Sequence, residues 1–226
     1  MPPILHLMRH GQGYHSAEVT KDGHLLHDPE LTPKGVEQCK ARCAAFDRHD
    51  HIDLLLASPL RRAIQTTTHA FSPSIARRGL RIIALPAAEE VSSDPSDTGS
   101  SASALRSQFG DELVDYSYLS STAGGDDGWF EHVGDFSSEA QAVHARAEAL
   151  RRWIRDRPET EVVLVSHGYF AHYLTHEVDA QGKQTTAWWG EAELRTYRFE
   201  EDASSGEGRG RAVLVETEES KKRRGG

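Results

Sequence analysis

Three short apolar runs in this chain each stop at a polar, glycine- or proline-marked cluster. Residues 4–8 lead into Arg9-His10-Gly11, residues 54–57 into Ser58-Pro59-Leu60-Arg61-Arg62-Ala63, and residues 162–165 into Ser166-His167-Gly168. Continuous apolar runs of this length, bounded by turn residues, read as strands covered on both faces. With their flanks the predicted strands are 4–8, 53–57, 81–85, 161–165, 195–200 and 212–216. The last two read as a hairpin around 202–210, a Gly/Ser-rich stretch.

Helical periodicity fills the intervals. Val36, Cys39, Cys43 and Phe46 recur at helical spacing after Thr32-Pro33, and Ser58-Pro59 repeats that start before a helix over 60–71. Thr and Ser cap helices well, and Pro suits the first helical position. Val143, Ala147, Leu150 and Ile154 stripe a long helix over 138–156, and 169–176 reads as a short one. Alternating strands and helices predict an α/β fold, a three-layer sandwich with a mostly parallel central sheet and helices on both faces. Ligands of such sheets bind beyond the C-terminal strand ends, where His10, Ser58 and His167 all fall.

The 226 residues suit one domain, expected over 1–218, with 219–226 as a flexible basic tail. The net charge of −9 argues against a nucleic-acid partner. No run approaches the roughly 18 apolar residues of a membrane span, and no signal peptide is expected at the N-terminus. Cys39 and Cys43 lie four apart in a helical pattern, which favours reduced thiols and a cytoplasmic protein. The basic run 221–224 leaves the nucleus open. The strand pair at the end of the chain predicts a sheet edge, which leaves a homodimer open. Residues 91–104 and 120–135 are irregular in pattern and read as lids or binding loops.

Two histidines and at least two arginines at one sheet edge make a pocket for a phosphoryl group. Guanidinium forks match phosphate oxygens, glycines allow close backbone approach, and the helix start after Ser58 favours an anion. His172 and His176 share a spacing that can bind zinc, but no third ligand is evident and no metal is expected. Trp129, Trp188 and Trp189 are read as packing residues, with Trp129 a candidate for lining an entrance.

Four blocks carry a resemblance: Leu7-Met8-Arg9-His10-Gly11, Leu31-Thr32-Pro33-Lys34-Gly35, Ser58-Pro59-Leu60-Arg61-Arg62-Ala63-Ile64-Gln65-Thr66 and Val165-Ser166-His167-Gly168. In this order they resemble the histidine phosphatase superfamily, its phosphoglycerate-mutase-like branch, and fungal members in particular. The resemblance implies a phosphoglycerate-mutase-like fold and a metal-independent phosphatase without cofactor. It makes His10 the nucleophile that forms a phosphohistidine, with Arg9, Arg62 and His167 on the phosphoryl oxygens. Arg61 is then expected to face solvent or the distal part of the substrate. The family's proton donor follows the third strand. The stretch from Glu90-Val91-Ser92 to Asp97-Thr98-Gly99-Ser100 matches the fungal pattern and puts Glu90 there, with Glu89 as the fallback. Gly11, His15 and Ser16 are the further candidates for contact with substrate, expected to be a small-molecule phosphate ester.

Two positions depart from the family. Ser16 stands where asparagine is usual, and so does Gly190 in Trp189-Gly190-Glu191-Ala192-Glu193. Either change could tune the substrate or mark a member recruited to binding or to other chemistry. A mutase is the other alternative. Mutases carry Glu-x-His-Tyr-Gly after the donor, whereas Glu90 is followed by Val91-Ser92-Ser93-Asp94, which favours a phosphatase.

Overall fold

The computed structural model describes residues 1–121, 128–200 and 212–224. Its strands are β1 (Ile4–Arg9), β2 (Leu54–Ala57), β3 (Ile82–Ala84), β4 (Val114–Asp115), β5 (Glu161–Ser166), β6 (Leu194–Phe199) and β7 (Leu214–Glu216). They form one sheet in the order β4-β3-β2-β5-β1-β6-β7. The pairs β1–β5, β5–β2, β2–β3 and β3–β4 are parallel, while β6 runs antiparallel to β1 and to β7.

The helices are α1 (Pro33–Ala45), α2 (Arg61–Ala70), α3 (Ser72–Arg78), α4 (Ala102–Phe109), α5 (Ala140–Arg155), α6 (Gly168–Leu174) and α7 (Glu218–Arg224). Alternation along the strands divides the core in two. Met8, Leu55, Ala57, Val163 and Val165 pack with Cys39, Ile64, Ala70 and Leu105 from α1, α2 and α4. Leu5, Leu7, Leu56, Val162 and Leu164 face Val143, Ala147, Leu150 and Phe170 from α5 and α6. Both faces of the central strands are therefore buried, which is why these segments lack polar alternation.

The parallel register places the chemistry. Leu7 sits opposite Leu164 and Arg9 opposite Ser166, so His10 and His167 leave the sheet side by side. The His10 amide donates to the Ser166 carbonyl at 3.0 Å, extending the ladder by one step.

The start of α1 is built against the end of β1. Thr32 caps it, its Oγ1 accepting from the Gly35 amide at 3.0 Å and donating to Gln12 Oε1 at 3.0 Å. Gly35 lets the two backbones touch, since a Cβ there would lie 2.1 Å from the Gln12 carbonyl oxygen.

All six expected strands form, and the structure adds β4, α3, α4 and α7. Ser72-Pro73 begins α3 instead of only ending α2, because proline fits a first turn as well as it breaks a last one. The 91–104 stretch is ordered by a 3-10 turn at Pro95–Asp97 and by the start of α4, capped by Ser101. Of the 120–135 stretch, 122–127 lie outside the described residues, as does the 202–210 turn of the expected hairpin. Trp129 is not an entrance residue. It is buried at 1% exposure, and its indole donates to the Ser100 carbonyl at 3.0 Å.

The segment expected to be a flexible tail from 219 forms α7 up to Arg224. Its acidic first turn and basic last turn complement the helix dipole, an order that a count of basic residues does not register. Buried Ser220 ties it to the sheet, accepting from the Thr196 amide at 3.0 Å and donating to Glu216 at 2.7 Å. Cys39 and Cys43 are free thiols. Among the described residues, no helix is long and apolar enough to cross a membrane.

Two outcomes follow from this packing. Gly35→Ala should cost about 1–3 kcal/mol in urea unfolding, because the clash is with backbone that cannot rotate away. Glu161, buried at the start of β5, bonds His6 at 3.1 Å and Arg48 Nε at 2.8 Å. Burial opposes its ionisation, but these hydrogen bonds outweigh it and hold the carboxyl at about 2. Its contribution is full above the ordinary glutamate value of about 4.3 and is lost as pH falls toward the folded value. Glu161→Gln should therefore flatten the decline of stability between about pH 5 and 2, measured by denaturant unfolding across pH.

Candidate active site

Two parallel strands, the N-terminus of α2 and the 3-10 turn at Pro95–Asp97 deliver the site. His10 is 3% exposed. Its Nδ1 lies 2.7 Å from the Gly11 carbonyl oxygen, which can only accept, so the proton sits on Nδ1. Nε2 then carries the lone pair, and it accepts from Arg62 Nε at 3.2 Å.

His167 is fully buried beside it, with ring centroids 5.1 Å apart. Its Nδ1 lies 3.2 Å from Arg62 Nη2, a donor, which leaves the proton on Nε2. That Nε2 has no partner among the described residues. Burial first, and then the Arg62 charge, hold both imidazoles well below their ordinary pKa, so both are neutral.

Arg62 links the parts. Besides the two histidines it donates Nη1 to the Ser96 carbonyl at 2.6 Å and Nη2 to Asp97 Oδ1 at 2.6 Å. Arg9 is held by the Trp189 carbonyl through Nη1, while its Nε is buried with no hydrogen-bond partner among the described residues. Gly168 makes room for it, since a Cβ there would lie 3.1 Å from Arg9 Nε. The Gly11 amide donates to Thr66 Oγ1 at 3.1 Å, which bonds back to the Arg62 carbonyl at 2.7 Å and ties the turn after His10 to α2.

His15 joins the cluster, its ring 5.3 Å from that of His10 and its Nδ1 buried without a partner among the described residues. Burial, then Arg62 and Arg9, push it down to about 3. Ser16 is half-buried in the turn that follows, and its hydrogen bonds among the described residues are backbone ones to Gly13, Val19 and Thr20. Arg61 pairs with buried Asp28 at 3.5 Å and is 30% exposed, away from the histidines. Gly190 is exposed, its amide donating to Glu193 at 2.6 Å.

The two glutamates after β3 separate. Glu90 reaches the start of α6, where Oε1 accepts from the Phe170 amide at 2.8 Å and Oε2 from the Tyr169 amide at 3.1 Å. These amides follow His167-Gly168 directly, so the carboxyl lies at the start of α6. Burial, and then the nearby Asp97 charge, raise its pKa. Glu89 is fully buried against Arg146 at 2.7 Å, and burial pushes it up to about 8.

Sequence reasoning passed over two of these groups. Asp97 lay in a matched segment without a role. Arg146 sits three residues after Val143 on the apolar stripe of α5, and a charge on a buried stripe was the signal available. His172 instead bonds Glu177 at 3.0 Å, and His176 lies beyond α6 with a φ of 58°. Among the described residues, no three His, Cys, Asp or Glu side chains are placed to hold a metal ion.

The family model described as "Histidine phosphatase superfamily (branch 1)" matches residues 5–206. The chain belongs to this superfamily. Its relatives include a phosphoglycerate mutase-like protein of Arabidopsis thaliana, 28% identical over 75% of this chain and 72% of that protein. A probable phosphatase of Schizosaccharomyces pombe is 28% identical over 73% of each. A phosphoserine phosphatase of Entamoeba histolytica, solved with phosphoserine, shares the fold at a TM-score of 0.57 and 17% identity, covering 95% of each chain. This histidine phosphatase thus carries the family's fold, with His10, Arg62 and His167 in contact.

The hydrogen bonding fixes an observable state. At pH 6 a free imidazole, with a pKa of about 6.5, is mostly protonated. His10 should instead be neutral with its proton on Nδ1, read from its ring nitrogens by 15N NMR. A doubly protonated ring at that pH would contradict the tautomer.

Proposed function

We propose that this enzyme hydrolyses a phosphomonoester of a small metabolite through a phosphohistidine on His10, without a metal ion. The observation that carries this reading is the free pair on His10 Nε2, fixed by the Nδ1 bond to Gly11 and facing the Arg62 guanidinium. A neutral, oriented imidazole needs no base to become a nucleophile.

The steps balance on the residues present. The phosphoryl group enters among Arg9, Arg62, His167 and His15, and Arg62 Nε turns from His10 to a non-bridging oxygen. The Nε2 pair forms the N–P bond as the ester P–O bond breaks in line. Arg9, Arg62 and the unpartnered His167 Nε2–H hold the charge spread over the oxygens. Glu90 gives its proton to the departing alkoxide. Water then loses a proton to the Glu90 carboxylate and attacks phosphorus, releasing phosphate and restoring His10. Glu90 is preferred to Glu89 because it lies at the start of α6 beside His167, whereas Glu89 is engaged by Arg146. The free cysteines suit action in the cytoplasm.

The phosphatases among the solved relatives support the substrate class. One solved relative is a phosphoserine phosphatase, and another is a mycobacterial glucosyl-3-phosphoglycerate phosphatase, at a TM-score of 0.53 and 18% identity.

The test is turnover of p-nitrophenyl phosphate in EDTA with acid-quench capture of phosphoenzyme. Wild type should turn over and trap phosphate on His10, and His10→Ala should lose roughly a thousandfold or more. Loss of wild-type activity in EDTA, or turnover in His10→Ala at the wild-type rate, would refute the route. Glu90→Gln should slow phosphoenzyme formation from alkyl phosphates by about 10²–10⁴-fold and leave that step unchanged on p-nitrophenyl phosphate, whose leaving group needs no proton. Equal losses on both would remove Glu90 from the donor role.

A further inference from the structure

The Arg62 guanidinium already has an anion. Asp97 Oδ1 lies 2.6 Å from Nη2, and the Ser96 carbonyl beside it lies 2.6 Å from Nη1. The other Asp97 oxygen accepts from Ser92 Oγ at 2.7 Å. Ser92 is two residues beyond Glu90, so one short loop carries both carboxyls to the two sides of His167. Glu90 meets the amides that follow His167, and Asp97 meets the arginine nitrogen that contacts its ring. Among the described residues, the Asp97 carboxylate is bonded to Arg62 and Ser92, and to neither His10 nor the unpartnered donors of Arg9 and His167.

We propose that Asp97 is a positioning residue that aims Arg62 at His10 and offsets the Arg62 charge beside the loop that carries Glu90. This rests on the reading of Glu90 as proton donor. Three N–H groups from Val91, Tyr169 and Phe170 favour the ionised form of Glu90. So do the cations that face it, Arg9 from β1 and Arg146 from α5, whose Nη2 donates to the Glu90 carbonyl at 3.2 Å. The neighbouring Glu89 is engaged by Arg146, with His132 Nδ1 at 3.7 Å, and the rings of His10 and His167 are neutral. Against these, burial and the Asp97 charge favour the acid. Asp97 also offsets the charge of Arg62. Without it, an uncompensated guanidinium would pull Glu90 further toward the carboxylate.

The experiment uses Asp97→Asn and Asp97→Ser, both neutral, and Asp97→Glu, which keeps the charge. Glu90 is followed by 13C-carboxyl NMR titration, with its signal assigned by loss in Glu90→Gln. Both neutral variants should lower the Glu90 midpoint by about one unit, and Asp97→Glu should restore it. The alkaline limb of kcat should fall by the same amount on an alkyl phosphate and stay in place on p-nitrophenyl phosphate. kcat/KM should drop about tenfold on both, from the misaimed arginine. An unmoved midpoint, or limbs that shift alike on both substrates, would overturn the proposal, as would failure of both neutral variants to fold. The NMR titration needs no turnover. Failure of the phosphohistidine route shows instead in the wild type, as absent phosphoenzyme.

Discussion

A single buried cation sets the terms for this site. Arg62 is 1% exposed, and a guanidinium taken out of water must have its donors satisfied. Its partners are the lone pair of His10, the ring of His167, the carboxylate of Asp97 and a carbonyl beside it. Each satisfies the arginine and is oriented by it in return. Burial first, and then the same charge, keep both histidines neutral. In the proposed mechanism, nucleophile activation and anion binding are two effects of one residue.

The sheet makes this economy geometric. Parallel strands in register end at the same height, so two chain segments 157 residues apart in sequence, at His10 and His167, emerge as neighbours. The third group arrives on α2 from the strand on the far side of β5, and Thr66 on that helix bonds back to Gly11. Acid groups come from the loops after β3. A chain with a net charge of −9 therefore builds its positive pocket locally, from arginines withdrawn from solvent into low dielectric, where each charge is felt more strongly.

What could be read in advance follows from how each signal is encoded. Strands β1, β2 and β5 announce themselves because both faces are buried, so every residue is apolar. Their ends announce the site, because His10 and His167 have no reason to follow a buried run unless the sheet edge is used. Asp97 carries no such signal. Its importance comes from a partner 35 residues away on α2, and only the fold makes that pair adjacent. Trp129 packs as its residue type implies, and only its suggested place at an entrance fails, since a Gly/Asp-rich neighbourhood describes the chain around it and not the hole beside Gly99 that its ring fills. Helix α7 was hidden by its basic composition. The information lay in the order of charges and in Ser220, which meets the sheet only through tertiary contact.

The contact between Gly11 and Gly35 bears on how the molecule breathes. A Cβ on Gly11 would lie 2.8 Å from the Gly35 carbonyl and 2.9 Å from Cys39 Sγ. The peptide that follows His10 is thus clasped between the first turn of α1 and the sheet, with no side chain as padding. Such a segment has no small excursions of its own, because any opening must first lift the helix. Order in the turn after His10 and global cooperativity are joined at that point. Amide exchange at Gly11 and Gln12 is then expected to be slow, their N–H groups being held by the Thr66 and Gln38 side chains.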